Sequence, residues 1–166
     1  MLFKIINRIL FICKVALIKV VYMGHVELGK NVHGRRGFNV IIDEDGILQI
    51  GDGCFFNSNC SINVKSKVEI GNDTIMGEHV YIYDHDHKYG DRTRLVKDQG
   101  FSKSPIIIGR NCWIGSNVTI LKGVHIGDNC VIGAGCIIHN DIPDNTLVYL
   151  NTNVVLKRKE LNSHEF

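Results

Sequence analysis

Aliphatic residues recur at every sixth position along most of this chain, and a glycine usually follows them. From Ile108 onward the repeat reads IGRNCW, IGSNVT, ILKGVH, IGDNCV, IGAGCI and IHNDIP. It also runs from Ile50 through Phe56 and Ile62, and it resumes at Ile70 after a shift of two residues. A six-residue period fits neither an amphipathic helix nor an alternating strand of this length. Each unit is therefore predicted to be a short extended segment followed by a turn.

Stacking of these units explains how the repeat can be stable. Glycine and asparagine tolerate a positive φ and supply the turn in each unit. Stacked turns place the first aliphatic residue of every unit in one buried column, where each side chain contributes about 1.5–3 kcal/mol. The pattern therefore predicts a solenoid whose stability comes from contacts between neighbouring units.

The cysteines follow the same period. Five of the six occupy the fifth position of a unit, where other units have valine or threonine: Cys54, Cys60, Cys112, Cys130 and Cys136. No C-x-x-C pair occurs, and this argues against disulfide or zinc chemistry. We predict buried, reduced cysteines and a reducing compartment.

The first 23 residues form a separate segment, which is predicted to be an amphipathic helix. Lys4, Arg8, Lys14 and Lys19 lie on one face of it, apolar residues cover the rest, and no acidic residue precedes Glu27. The net charge of the chain is only +2, from 19 basic and 17 acidic residues, so the basic character is local. This balance argues against nucleic acid as the main partner.

Two interpretations of this helix remain open. Its longest uncharged run, residues 9–13, is too short to span a bilayer, and no signal-cleavage site follows it. The helix therefore either packs on its own domain or a neighbouring subunit, or attaches the protein to an anionic membrane surface through residues 1–22. We expect a cytoplasmic protein, peripheral at the inner face of the membrane in the second case.

The repeat resembles that of the hexapeptide-repeat acyltransferases over residues 26–150. The resemblance implies an all-β fold, a left-handed parallel β-helix in which three short strands complete one triangular coil. It also implies a homotrimer with active sites between subunits. We expect an N-terminal helix (residues 1–23), a β-helix domain (24–156) with one inserted loop (84–104), and a basic tail (157–166).

The repeat is interrupted once in its second half, by the polar stretch DHDHKYGDRTRLVKDQGFSKS between Tyr83 and Pro105. Long loops in compact domains are usually functional, so chemistry is expected here. On an extended segment the histidines of H-D-H, His85 and His87, point the same way, which leaves a metal site geometrically possible. The histidine spacing of the β-helical carbonic anhydrases cannot be matched in this chain, and we predict no metal.

Acyl transfer is the better interpretation of the histidines, because a sugar hydroxyl needs a base before it can attack a thioester. The closest resemblance is to galactoside, maltose and polysaccharide O-acetyltransferases, in which a histidine at the start of the inserted loop acts as general base. Alignment of IYDHDH with that pattern implies His87 as the base, with His85 as the alternative. An N-x-N element thirty residues earlier implies that Asn57 contacts the acceptor sugar.

Other loop residues are candidates around this base. We expect Tyr83, Asp84 and His85 to line the acceptor pocket. The group that orients the histidine is left open between Asp84, Asp86, Asp91 and a backbone carbonyl.

The donor expected from the resemblance is acetyl-CoA. The family binds its pantetheine arm near segments that correspond here to Trp113, Gly115 and Ser116, and to Gly133 and Ala134, and the Ser116 amide matches the donor to the thioester oxygen.

The match weakens at the nucleotide end of CoA, where relatives have T-K-D-x-P followed by G-x-P-A. This chain has HNDIP and YLNTNVV instead, so Asn140 and Lys157 are the expected contacts. The overall prediction is an acetyl-CoA-dependent sugar O-acetyltransferase. The alternatives are N-acetylation of an amino sugar and a non-catalytic or metal-binding β-helix.

Overall fold

The computed structural model describes residues 2–43 and 45–150, and the expected tail (157–166) with Lys157 lies outside them. Helix α1 (Leu2–Val21) precedes a three-sided solenoid of short strands. The first coil contains β1 (Val26–Leu28), β2 (His33–Gly34) and β3 (Asn39–Ile42). The second contains β4 (Ile47–Ile50), β5 (Phe55–Phe56) and β6 (Ser61–Val64), and the third β7 (Lys67–Ile70), β8 (Ile75–Met76) and β9 (Tyr81–Tyr83).

An insertion separates the third coil from the fourth. It contains β10 (His85–His87), a 3-10 turn (Val96–Asp98) and β11 (Phe101–Lys103). The fourth coil contains β12 (Ile106–Ile108), β13 (Trp113–Ile114) and β14 (Thr119–Leu121). The fifth contains β15 (His125–Ile126), β16 (Val131–Ile132) and β17 (Ile137–Ile138), and β18 (Leu147–Val148) continues the winding.

Equivalent strands of successive coils pair in parallel and form three sheets. The first sheet is β1-β4-β7-β12-β15, the second is β2-β5-β8-β13-β16-β18, and the third is β3-β6-β9-β14-β17. We call the turns between first and second sheets the first corner, those between second and third sheets the second corner, and those that return to the first sheet the third corner. The insertion leaves at the third corner. Ile106 lies 38 residues after its partner Val68 but His125 only 18 after Ile107, so the insertion adds 20 residues.

The first-position residues form the core, but in three columns, one for each sheet, rather than in the single column that the period predicted. All of the first-position residues quoted from the repeat are buried, from Ile50 to Ile138, and so are the five fifth-position cysteines. The thiols of Cys54, Cys60, Cys112 and Cys130 each donate to a backbone carbonyl one coil on, at 3.1 Å. The cysteines are therefore inward packing residues, as their period predicts.

The loop that the sequence predicted to be aperiodic contains a regular pair of strands. Strands β10 and β11 form an antiparallel hairpin in which His85 pairs with Lys103 and His87 with Phe101. Neither strand has an alternating run of apolar and polar residues long enough to predict it. The insertion therefore begins and ends in two extended strands that pair with each other.

The N-terminal helix packs on the first coil. Phe11 and Ile18 are its buried residues, and the Phe11 ring lies 5.7 Å from that of Phe38. A side chain at Gly34 would collide with the Phe11 ring, so this glycine makes room for the helix. The broad apolar face of the helix is not the face that makes this contact. In the part of the chain that the structure describes, no helix is both long and apolar enough to cross a membrane.

Candidate active site

Strand β10 presents both histidines on one side of the hairpin. The His85 and His87 ring centroids lie 5.4 and 4.4 Å from that of Phe101, on the facing strand. His87 is exposed, whereas only 15% of the His85 side chain is exposed. Phe101 therefore acts as a shared apolar support for two imidazoles, as the alternation of side chains along an extended strand allows.

Asp84 is fully buried and fixes the start of this hairpin. Its Oδ1 accepts a hydrogen bond from His85 Nδ1 at 2.8 Å. The carboxylate also accepts from the backbone N–H groups of Lys65, at 2.9 and 3.1 Å, and of Ser66, at 2.7 Å. Donation from Nδ1 leaves Nε2 of His85 as the nitrogen with a lone pair. Asp84 is thus an orienting group for His85.

The other two candidate aspartates have different partners. Asp86 Oδ1 lies 3.1 Å from Lys122 Nζ. Asp91 accepts hydrogen bonds from the hydroxyl and the backbone N–H of Thr93, and these hold the pKa of its carboxyl below the ordinary value. None of the three aspartates contacts His87 within the described chain, so the orienting group that the sequence left open is found for His85 alone.

His87 borders an open cleft between the hairpin and the fourth coil. Tyr89, Arg94 and Lys122 also line it. Lys122 was not singled out from the sequence, although its unit, ILKGVH, departs from the repeat by having leucine where most units have glycine. Its Nζ also donates to Ser102 on β11, at 3.0 Å, so it ties the hairpin to the solenoid. Phe101 was missed too, and the sequence carries no signal for it because its role depends on the hairpin register.

The donor-side residues lie at the second corner, where the Ser116 backbone amide is open. Stacked corner turns usually satisfy each other: at the first corner, four amides donate to an Asp or Asn one coil on at 2.6–2.9 Å, namely those of Lys30, Asp52, Arg110 and Asp128. At the second corner, the Glu78 amide donates to Ser116 Oγ at 3.1 Å. The Ser116 amide has no acceptor among the described residues, because the residue one coil on is Ala134.

The glycines expected to contact CoA have a structural function of their own. A Cβ at Gly115 would lie 2.6 Å from the Ala134 amide nitrogen, and one at Gly133 would lie 3.1 Å from the Val148 carbonyl oxygen. Both glycines therefore allow successive coils to stack. Trp113 projects from the second sheet with 56% of its surface exposed, and Asn140 is exposed at the third corner.

The two groups of predicted site residues lie at opposite ends of the third sheet. Tyr83 pairs with Leu121, so the hairpin leaves beside Lys122, six residues after Ser116. At a rise of about 3.3 Å per residue this separation is about 20 Å. Asn57 also lies at the second corner, where its Oδ1 accepts from the Ser58 amide at 2.9 Å. One chain therefore does not bring Asn57 or Ser116 to His87.

The buried thiols do not provide a nucleophile. Burial raises the pKa of the Cys54, Cys60 and Cys112 thiols, so the reactive thiolate is disfavoured. Within residues 2–43 and 45–150, no cluster of three or more His, Cys, Asp or Glu side chains has the geometry to hold a metal ion.

Comparisons with known proteins agree with the fold and the repeat. Residues 105–140 match the family model described as the hexapeptide repeat of succinyl-transferase. A putative lipopolysaccharide biosynthesis O-acetyltransferase of Escherichia coli, WbbJ, is 30% identical over 132 residues, covering 75% of this chain and 67% of that protein. Several curated relatives are longer, and the chain spans about half of their length, 46% to 57%.

Solved structures of hexapeptide-repeat acetyltransferases also match this fold. A hexapeptide-repeat acetyltransferase of Vibrio cholerae, in complex with acetyl coenzyme A, is 26% identical with a TM-score of 0.67, over 81% of this chain and 69% of that one. A maltose O-acetyltransferase of Clostridium difficile is 32% identical with a TM-score of 0.65, over 78% of this chain and 67% of that one. The predicted left-handed parallel β-helix is confirmed.

Proposed function

This chain belongs to the hexapeptide-repeat acyltransferases, and on that premise we propose that it is an acetyl-CoA-dependent O-acetyltransferase acting on a sugar or polysaccharide precursor. The open backbone amide of Ser116 is the observation that carries the proposal. It stands at the position that the family uses for the thioester oxygen. An unpaired N–H at a fixed corner is the kind of preorganised donor that stabilises a developing oxyanion.

The donor and acceptor classes are supported by the relatives. The Vibrio structure contains acetyl coenzyme A, and the E. coli and Clostridium relatives are named for lipopolysaccharide and maltose O-acetylation. For this chain we accordingly propose acetyl-CoA as the donor and a carbohydrate hydroxyl as the acceptor. The exposed Trp113 and the Gly115 and Ala134 backbone at the second corner supply a surface along which the pantetheine arm would lie.

In the proposed reaction His87 removes the proton of an acceptor hydroxyl as its oxygen attacks the thioester carbonyl carbon. The resulting tetrahedral oxyanion accepts a hydrogen bond from the Ser116 amide. The carbon–sulfur bond then breaks, the protonated imidazole returns its proton to the CoA thiolate, and the acetyl ester and CoA leave. Neither a metal nor a covalent enzyme intermediate takes part.

A complete site requires two chains. The hairpin that carries His87 leaves the third sheet about 20 Å from Ser116, too far for both residues to act on one carbonyl in one chain. A homotrimer in which the third corner of one subunit faces the second corner of the next would join them. Asn57 would then approach the acceptor across the same interface.

His85 is a second candidate for the base, and one observation favours it. Its Nδ1 is held by the buried Asp84 carboxylate, an arrangement that fixes the tautomer and position of an imidazole. In the proposed mechanism this pair positions the hairpin, and His87 takes the proton because it borders the open cleft.

Mass spectrometry of products formed from acetyl-CoA and a panel of sugars and oligosaccharides tests the function. His87→Ala is expected to lower kcat by about 10²–10⁴-fold, as for loss of a general base, with an unchanged circular dichroism spectrum. His125→Ala, at an exposed position on the first sheet, is the matched control and should be fully active. Full activity of His87→Ala with loss of activity in His85→Ala would reassign the base. Full activity of both variants would rule out histidine base catalysis.

A further inference from the structure

The N-terminal helix leaves its broad apolar face uncovered. Because Phe11 and Ile18 point into the solenoid, the opposite side of the helix faces outward. Seven large apolar side chains there are 43–73% exposed: Ile6, Ile9, Leu10, Ile12, Leu17, Val20 and Val21. At 100° per residue they cover an arc of about 180° centred opposite Phe11 and Ile18. We call this set the apolar arc.

Basic residues border the apolar arc on both sides. Arg8 and Lys19 follow one edge and Lys14 the other. Arg35 and Arg36, in the turn after β2, extend the border, since they line the same clefts as Arg8 and Lys14. We call these five residues the cationic rim. None of them forms an ion pair with a described residue, and helix α1 contains no acidic residue.

We propose that the apolar arc and the cationic rim bind the surface of an anionic lipid bilayer. In such a complex the arc reaches the boundary of the acyl chains, and the rim lies at the level of the negatively charged headgroups. The first coil then faces the membrane. The hairpin with His85 and His87 stands two coils further away, so the catalytic cleft stays in water.

A second copy of this chain fits the same surface less well. Helices that pair through their apolar arcs would bring the rim of one copy against the rim of the other. Arg8, Lys14 and Lys19 would then face like charges with no acid in either helix to offset them. An anionic surface supplies the missing charge, and this complementarity decides between the two occupants.

Flotation of the full-length protein with vesicles tests the proposal. We expect binding to phosphatidylcholine vesicles that contain phosphatidylglycerol, weaker binding to phosphatidylcholine alone, and release by salt. Leu17→Glu, within the arc, should lower binding at least about tenfold. Leu95→Glu is the matched control, because Leu95 is 64% exposed against 61% for Leu17 but lies in the insertion. It should bind as the wild type does.

The rim is tested separately with the double variant Arg8→Gln and Lys19→Gln, for which Lys97→Gln in the insertion is the control. The double variant should lose affinity for anionic vesicles and keep its residual affinity for neutral ones. Sedimentation of the same variants tests whether a second copy of this chain, rather than a lipid surface, covers the apolar arc. The membrane proposal is overturned if the wild type does not float with anionic vesicles, if Leu17→Glu floats equally well, or if Leu17→Glu changes only the oligomeric state.

Discussion

The first and second corners are built from the same turn, but they differ in what the next coil offers to it. At the first corner, Asp52, Asn72, Asp128 and Asp144 each accept the backbone amide one coil earlier. The exception is the Asn72 amide, which stands over Arg110. At the second corner, Ser116 stands over Ala134, whose side chain has no acceptor for the Ser116 amide.

The difference shows where a repetitive fold can present a free hydrogen-bond donor to a ligand. A corner turn whose amide is paired presents no donor to a ligand, and its residues contribute only to stability. A corner that loses one acceptor keeps a fixed N–H with its hydrogen-bonding capacity unused. The third corner departs from the repeat in another way, by inserting the hairpin that carries the histidines. The proposed chemistry therefore uses places where the repeat is incomplete.

Among substitutions at the corners and at the base of the hairpin, closing the open amide should have the largest effect. Asn at position 134 would accept the Ser116 amide as Asn72 accepts the Asp52 amide. Ala134→Asn is expected to lower kcat by about 10²–10³-fold, because loss of one oxyanion donor has effects of that size. Initial rates at saturating acetyl-CoA measure it. Arg110→Asn is the matched control: it closes the Asn72 amide at the first corner and should leave kcat unchanged.

The effect of the added side-chain volume must be distinguished from the effect of the added hydrogen-bond acceptor. Ala134→Leu adds comparable volume without a hydrogen-bond acceptor. We expect Ala134→Leu to raise the KM for acetyl-CoA and to spare more of kcat than Ala134→Asn does. An equal loss of kcat in both variants would show that the amide is not the oxyanion donor.

Removal of the Asp84 carboxylate should have the next largest effect, on stability. Asp84→Asn keeps one acceptor oxygen but places an NH₂ group against either the Ser66 amide or His85. A buried donor without an acceptor costs about 1–3 kcal/mol, measured as a lower free energy of unfolding in urea. Asp86→Asn, two residues on, breaks only an exposed ion pair with Lys122 and should cost at most about 1 kcal/mol. Equal losses in the two variants would contradict an anchoring role for Asp84.

Opening a closed corner should have the smallest effect. Asp128→Ala removes the acceptor of the Arg110 amide and an exposed ion pair with the Arg110 side chain. Water can replace both partners, so the free energy of unfolding should fall by about 1 kcal/mol or less while kcat stays at the wild-type value. A loss of activity as large as that of Ala134→Asn would mean that the first corner also binds the substrates.

Much of the fold was predictable because the determinant is local. The six-residue period identified Ile50, Ile114 and Ile138 as inward residues, and the structure buries them, although on three different sheets rather than in one column. It identified the fifth-position cysteines as inward residues as well, and these are also buried. The break at Tyr83 located the insertion, and the amphipathic pattern of residues 1–23 located the helix. The strand partners one coil apart were harder to predict from the sequence, because they are separated by 18 residues in one place and by 38 in another.

The sequence by itself determined a solenoid, its interruption and the residue types available for acyl transfer, because a short repeat can satisfy its backbone and bury its aliphatic residues in few other ways. Only the tertiary structure decided which groups remain unsatisfied. That Asp84 holds His85, that Ala134 leaves the Ser116 amide open, and that Phe11 turns the apolar arc outward all depend on the register between coils. Hydrogen-bond partners and helix rotation are set by neighbours in space, and the period does not encode them.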